Sequence, residues 1–349
     1  MDLGDKMVNM DNPFYEPGKP PRPEKIREVD FRDELERAWG MNWGYGTQTE
    51  IGKIKVCMVS KPTENEVTPE VAKDPIHYLL PVGPPNLEKM KEQHAKMVDV
   101  LEDEGVKIVY LNVPEVAMGA YGRLKNCVAT REAFMVHGGA IIPRVGLAEW
   151  RRGYEMLIAK KLSEMGCPIL HTCVNVWDGG AHIWLDNEHL ITSTGPGTSI
   201  EGINEVRPVL EWAGVKELHI GHCLGWVDRL EWPKGNWMWH LDVAFSVVDE
   251  WLALIYPAAV DYDTVLYLKK KGIRMIEVQP EEARNFVCNT VAIEPGKIIM
   301  VGGNPQASKA LRKEGVDVIE IDFSEPIKSG FGPHCDTLPL IRNPGPRLK

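Results

Sequence analysis

Four short stretches of the chain hold side chains able to do chemistry. Cys335 ends a glycine-rich run, Gly330-Phe331-Gly332-Pro333-His334-Cys335, and His240 and Asp242 stand two apart in Trp239-His240-Leu241-Asp242. Asp178 precedes two glycines in Trp177-Asp178-Gly179-Gly180, and Glu132 follows Arg131 in Thr130-Arg131-Glu132. A thiol, an imidazole and three carboxylates suit substitution at a planar, electron-poor, nitrogen-rich carbon. Carboxylates hold an amidine or guanidinium group through paired charge-assisted hydrogen bonds and fix its carbon against the sulfur. The thiolate is the attacking form, so Cys335 needs its pKa lowered by an imidazolium or by a cationic substrate. His240 then protonates the departing nitrogen and activates water against the thiouronium-type adduct. The scheme calls for no metal and no cofactor. Taken singly, each residue has a plainer reading: a buried thiol, a satisfied core histidine, turn chemistry at Asp-Gly-Gly. Their joint weight rests on a shared place in the fold.

The elements that must position them repeat. From about residue 51 onward, the order strand, turn, strand, helix, strand recurs at a period of roughly 45 residues, which marks a repeat architecture. In the last copy Asn289-Thr290-Val291-Ala292-Ile293 predicts a strand, Glu294-Pro295-Gly296 a turn and Lys297-Ile298-Ile299-Met300-Val301 a second strand. A helix from Pro305 to Glu314 and a strand from Val316 to Ile321 complete it. The preceding copy reads as a strand from Leu241 through Val247, a turn at Asp249-Glu250, a second strand Trp251-Leu252-Ala253-Leu254-Ile255, and a helix ending at Lys271-Gly272. Five helices stop at glycine, at Gly105, Gly166, Gly214, Gly272 and Gly315, and each feeds a strand. Such units pack most readily around an axis with their first strands innermost, so the expected fold is α/β, a five-bladed propeller. Glu132, Asp178, His240 and Asp242 then stand at blade starts and converge on a central cavity, with Cys335 after the fifth blade. Residues 1–50, rich in proline and charge, read as an N-terminal arm, and residues 51–349 as one catalytic domain.

Together these motifs resemble the guanidine-modifying (pentein) superfamily of arginine deiminases, dimethylarginine dimethylaminohydrolases and amidinotransferases. The likeness runs from about Ile51 to Arg342 and includes Glu92-Gln93-His94 in a first helix. The resemblance implies Cys335 as nucleophile, His240 as general acid and base, and Asp178 as the acid that partners the histidine. It implies Glu132 and Asp242 as substrate-binding carboxylates, with Arg131 beside them. The superfamily's fold is also a five-bladed propeller. Two departures bear on substrate: deiminases typically carry Asp where Glu132 stands, and Glu-Gly-Gly-Asp where this chain has Asp178-Gly179-Gly180-Ala181. Arg144, Arg151 and Arg152 are candidates to clamp an amino-acid carboxylate, against the plainer reading of solvated surface arginines. Free arginine is therefore not the expected substrate.

A formal net charge of −10, with no long Lys/Arg block, argues against nucleic acid and anionic membrane as partners. No apolar stretch has the length of a bilayer span and the N-terminus lacks signal-peptide order, so a cytoplasmic protein acting on a small molecule is expected. The seven cysteines lack metal-site spacing, and Cys57, Cys167, Cys173 and Cys223 read as buried thiols. Trp177, Trp184, Trp226, Trp232, Trp237 and Trp239 cluster in the two blades that supply Asp178 and His240. Most read as core or subunit contact; any that line the cavity would favour a flat N-substituted guanidine or a 2-substituted azole. With the proline-rich arm, they also suggest a homo-oligomer. The expected activity is deiminase-type hydrolysis, with amidino transfer as the alternative and a non-catalytic binding propeller a distant third. Gly195-Pro196-Gly197-Thr198-Ser199 reads only as a turn that caps the following helix.

Overall fold

Aliphatic and β-branched runs of four to seven residues form the centre of each repeated unit, because a strand covered on both faces must be apolar almost throughout. In Ile54–Ser60 every side chain except Lys55 is buried. A computed structural model describes residues 16–20, 46–80, 82–146, 148–223, 225–227 and 236–347, and among these it contains five three-stranded sheets built alike. Each middle strand pairs antiparallel with one neighbour and parallel with the other. The parallel partner is reached through a helix, as a parallel connection requires. The middle strands are Ile54–Ser60, Gly139–Ile142, His189–Thr194, Leu252–Ile255 and Lys297–Val301. The helices that follow them are Leu87–Asp103, Tyr154–Glu164, Ile200–Trp212, Tyr262–Lys270 and Pro305–Lys313.

All five helix-terminating glycines adopt left-handed backbone, with φ of +79° at Gly105, +78° at Gly166, +106° at Gly214, +77° at Gly272 and +91° at Gly315. Any residue with a Cβ would be strained there, so the glycine both ends the helix and turns the chain back toward the sheet. The expected α/β class and its repeated order of elements are therefore present.

Two expectations about boundaries change. Leu241–Ala244 is a helical turn, and the strand begins only at Phe245. Its opening His240 is extended and its carbonyl accepts from Val243 N, which brings His240 and Asp242 onto one side of the chain. The first sheet takes its antiparallel strand from the far end of the sequence, with Leu338–Arg342 paired to Ile54–Ser60. Residues 46–50, counted with the arm, are built into the same region: Gly46 bridges Ile341, and Glu50 is buried.

Arg342 fastens this closure. Its Nη1 donates to the carbonyls of Gly52 at 2.7 Å and Ala292 at 2.8 Å. Burial pulls its pKa down to about 10, opposed by the Glu50 carboxylate. Replacing Arg342 with Ala strands two buried acceptors and leaves Glu50 with one cation fewer. We expect Arg342→Ala to cost about 3 kcal/mol, read as a lower urea midpoint at unchanged slope. Arg274→Ala, which removes an exposed ion pair with Glu314, is expected to cost less than about 1 kcal/mol.

Candidate active site

Cys335 lies in the turn between the short helix Pro326–Ser329 and the closing strand, and three segments hold it. Its N–H donates to Asn289 Oδ1 at 3.1 Å, and its carbonyl accepts from the N–H groups of Thr130 and Arg131. A Cβ on Gly332 would come within 2.7 Å of Asn289 Oδ1, so only glycine lets the loop approach that asparagine. Asn289 Nδ2 donates to Cys335 Sγ at 3.2 Å, and the thiol lies 3.4 Å from Asp242 Oδ2, a hydrogen-bond acceptor.

His240 and Asp178 form the second part. His240 Nε2 lies 3.1 Å from Asp178 Oδ2, while Asp178 Oδ1 accepts from Gly146 N at 2.8 Å. Two glycines clasp the imidazole. A Cβ on Gly180 would stand 2.7 Å from His240 Nδ1, and one on Gly197 would stand 2.7 Å from His240 Nε2 and 2.5 Å from Asp178 Oδ2. Gly197 belongs to the turn expected only to cap a helix. Ser199 does cap that helix, yet the glycine two residues earlier is what leaves room for the pair. Burial works against a charged His240, but the Asp178 hydrogen bond and charge, with Asp242 and Glu132, raise its pKa above the ordinary histidine value.

Asp242 is buried in a chain of charges. Its Oδ2 lies 2.8 Å from His334 Nδ1, and His334 Nε2 lies 3.3 Å from Glu50 Oε2. Burial opposes the Asp242 carboxylate, and His334, His240 and Arg131 outweigh it, so Asp242 stays below the usual aspartate range. Glu50 is pulled down to about 2 by His334, Arg131 and Arg342, again against burial. Cys335 moves the other way: burial and the Asp242 charge push its thiol well above the usual cysteine value, so it rests protonated.

Glu132 meets Arg151, with Nη2 to Oε1 at 2.8 Å and both side chains over nine-tenths buried. Burial raises Glu132 to about 7, Arg151 pulls against that rise, and Asp178 adds to it. Arg131 donates through Nε to the His334 carbonyl at 2.9 Å. Glu132 Oε2, Asp242 Oδ1 and Arg131 Nη2 are among the buried polar atoms here that have no hydrogen-bond partner among the described residues.

All six residues singled out from the sequence, Cys335, His240, Asp178, Glu132, Asp242 and Arg131, line one cavity of about 480 Å³. Much of its remaining wall is apolar, with Ala129, Val145, Val243, Phe286 and Phe331, and Trp150 and Trp239 line it too. Trp177 and Trp184 are core residues, stacked on His182 and Phe134 respectively. Trp232 and the side chains of Trp226 and Trp237 lie outside the described residues. Of the three candidate clamps, Arg144 is exposed and Arg152 half-buried, and neither lines the cavity; Arg151 is buried within it. The sequence reading missed His334 and Asn289 as partners of Asp242 and Cys335; only the position of His334 beside the cysteine hinted at either. Among the described residues, His171, Cys173 and Glu205 bring ligand-type atoms within 4.8 Å of one another, but none of them lines the cavity, and Glu205 accepts from the Val174 and Asn175 N–H groups and pairs with His171 as a loop clasp.

Comparison with known proteins agrees with this architecture. The arginine deiminase family model matches residues 258–342. The chain is 25% identical over 332 residues to the 2-nitroimidazole nitrohydrolase of Mycobacterium sp. (strain JS330), covering 92% of this chain and 88% of that one. An amidinotransferase from Microseira wollei shares its fold with a TM-score of 0.70 at 15% identity, covering 88% of this chain and 99% of that one. The DDAH of Pseudomonas aeruginosa does so at 0.64 and 20% identity, covering 82% and 99%. The matching deiminase segment and the nitrohydrolase relative, together with a fold shared with an amidinotransferase and a DDAH, support the guanidine-modifying, or pentein, superfamily for this chain.

Proposed function

We propose that the chain is a deiminase-type cysteine hydrolase that displaces a leaving group from an amidine-type carbon through a covalent Cys335 adduct. The observation that carries the reading is the convergence of Cys335, the His240–Asp178 pair, Glu132 and Asp242 on one largely apolar cavity. In the same reading the five sheets are five blades around that cavity, residues 51–349 are one catalytic domain, and residues 1–50 are an arm.

The roles follow from protonation. Cys335 attacks the carbon as its S–H proton passes to Asp242, 3.4 Å away, and His240, held as imidazolium by Asp178, gives its proton to the departing nitrogen. The neutral imidazole left behind takes a proton from water as water attacks the adduct and the C–S bond breaks. Glu132 Oε2 and Asp242 Oδ1, two acceptors without a hydrogen-bond partner among the described residues, bind N–H groups of the substrate. One relative is named 2-nitroimidazole nitrohydrolase, and the 2-carbon of an imidazole, flanked by two ring nitrogens, is an amidine-type carbon. That name and the tryptophan-lined wall support a flat N-substituted guanidine or a 2-substituted azole as substrate, in place of free arginine.

Three outcomes test the proposal. Acid-quenched protein incubated with guanidines, amidines and 2-substituted azoles should gain mass on Cys335 alone, and Cys335→Ser should show neither adduct nor turnover while keeping its melting temperature; turnover by Cys335→Ser would sink the mechanism. With an amine leaving group, kcat/KM should fall as pH rises through the His240 pKa, because only the imidazolium donates. Asp178→Asn removes the charge that raises this pKa, so the alkaline limb should move to lower pH. Gly197→Ala should lower kcat by about 100-fold, since its methyl group must displace the His240–Asp178 pair.

A further inference from the structure

Each of the three carboxylates on the cavity wall already faces a basic group of the chain itself. Glu132 meets Arg151 at 2.8 Å, Asp178 meets His240 at 3.1 Å, and Asp242 meets His334 at 2.8 Å. Arg151 is a built-in occupant. Its Nη2 also donates to the Ala129 carbonyl at 3.3 Å, and its guanidinium lies 5.2 Å from the Phe331 ring centre and 5.8 Å from that of Tyr154. A planar cation thus lies over an aromatic ring and is bonded to the carboxylate that a guanidinium substrate would seek. A second cation at Glu132 would have to enter beside Arg151 in a site shielded from water.

The thiol, too, has its acceptor within the chain. A cationic substrate helps an enzyme by drawing the proton off its cysteine, whereas here Cys335 stands 3.4 Å from the Asp242 carboxylate.

Resting on the proposed hydrolase activity, we propose that Arg151 occupies from within the chain the place of a substrate guanidinium, so that the site selects neutral planar azoles and rejects cations of the same shape. In the first half-reaction the Cys335 S–H proton passes to Asp242 as the S–C bond forms. The leaving group X departs from the ring carbon with the bond pair and the His240 proton, as HX. In the second, water gives a proton to neutral His240 and its oxygen to the carbon, the C–S bond breaks, and sulfur recovers its proton from Asp242. The sum is azole–X plus water giving hydroxyazole plus HX, with His240 and Asp242 restored.

The test compares equilibrium binding to full-length Cys335→Ser of two probes with one ring, neutral 2-bromoimidazole and protonated 2-aminoimidazole, by calorimetry at a pH where the second is cationic. The neutral ring should bind at least about 100-fold tighter, and Arg151→Gln in the same background should move that ratio at least about tenfold toward the cation. Equal or tighter binding of the cation, binding of neither probe, or an unchanged ratio in a folded Arg151→Gln protein would each overturn the inference. If Arg151→Gln does not fold, the comparison in Cys335→Ser alone decides. Mass spectrometry of the wild-type chain separates the two readings. Neutral preference without any Cys335 adduct sinks the hydrolase and leaves the selectivity; cation preference with a Cys335 adduct does the reverse.

Discussion

An ionised carboxylate can be taken out of water only beside a positive charge or a set of hydrogen-bond donors, and this protein buries three carboxyl groups on the wall of one cavity and a fourth, Glu50, joined to them through His334. Glu50, Glu132, Asp178 and Asp242 are all less than a tenth exposed. Much of the surrounding structure meets that demand. Arg342, Arg131 and His334 answer Glu50; Arg151 answers Glu132; His240 and the Gly146 amide answer Asp178; His334 answers Asp242. These partners come from remote parts of the sequence, so charge neutrality and tertiary structure are one requirement here. The segments that supply the charges are also the ones that clamp the cysteine loop.

Much of this was legible in the residues. Glycine at five helix ends needs only local backbone physics, and each of those glycines has the left-handed φ that strains any residue with a Cβ. The polar residues at unit starts were visible because an apolar residue would have served a strand better. Their convergence followed from the repeat, and the cavity lining contains all six. Partnership stayed hidden. Arg151 looks the same in sequence whether it faces water or Glu132, and nothing near residue 289 announces an asparagine that bonds both a thiol and the Asp242 carbonyl. Gly197 was concealed for a related reason: its backbone is ordinary, and only the proximity of His240 and Asp178 forbids a side chain.

The N-terminal boundary shows the same limit. Proline and charge separate residues 1–50 from the repeated units, but composition does not reveal that Glu50 reaches His334, 284 positions away, or that Gly46 meets the last paired strand. Long-range pairing carries no local signature, since the entropy of closing such a loop is offset only by contacts that appear when both ends are in place.

The strand Leu338–Arg342 completes a sheet begun at Ile54, and Cys335 lies just before it in the chain. During synthesis the first sheet therefore waits, with one edge unpaired, until the distant closing strand has left the ribosome. The proposed nucleophile is made just before that strand and after Thr130, Arg131 and Asn289, the residues that clamp it. A chain cut short between Ile54–Ser60 and Leu338–Arg342 thus carries an open sheet edge, so the topology itself ties the proposed chemistry to the arrival of that distant strand.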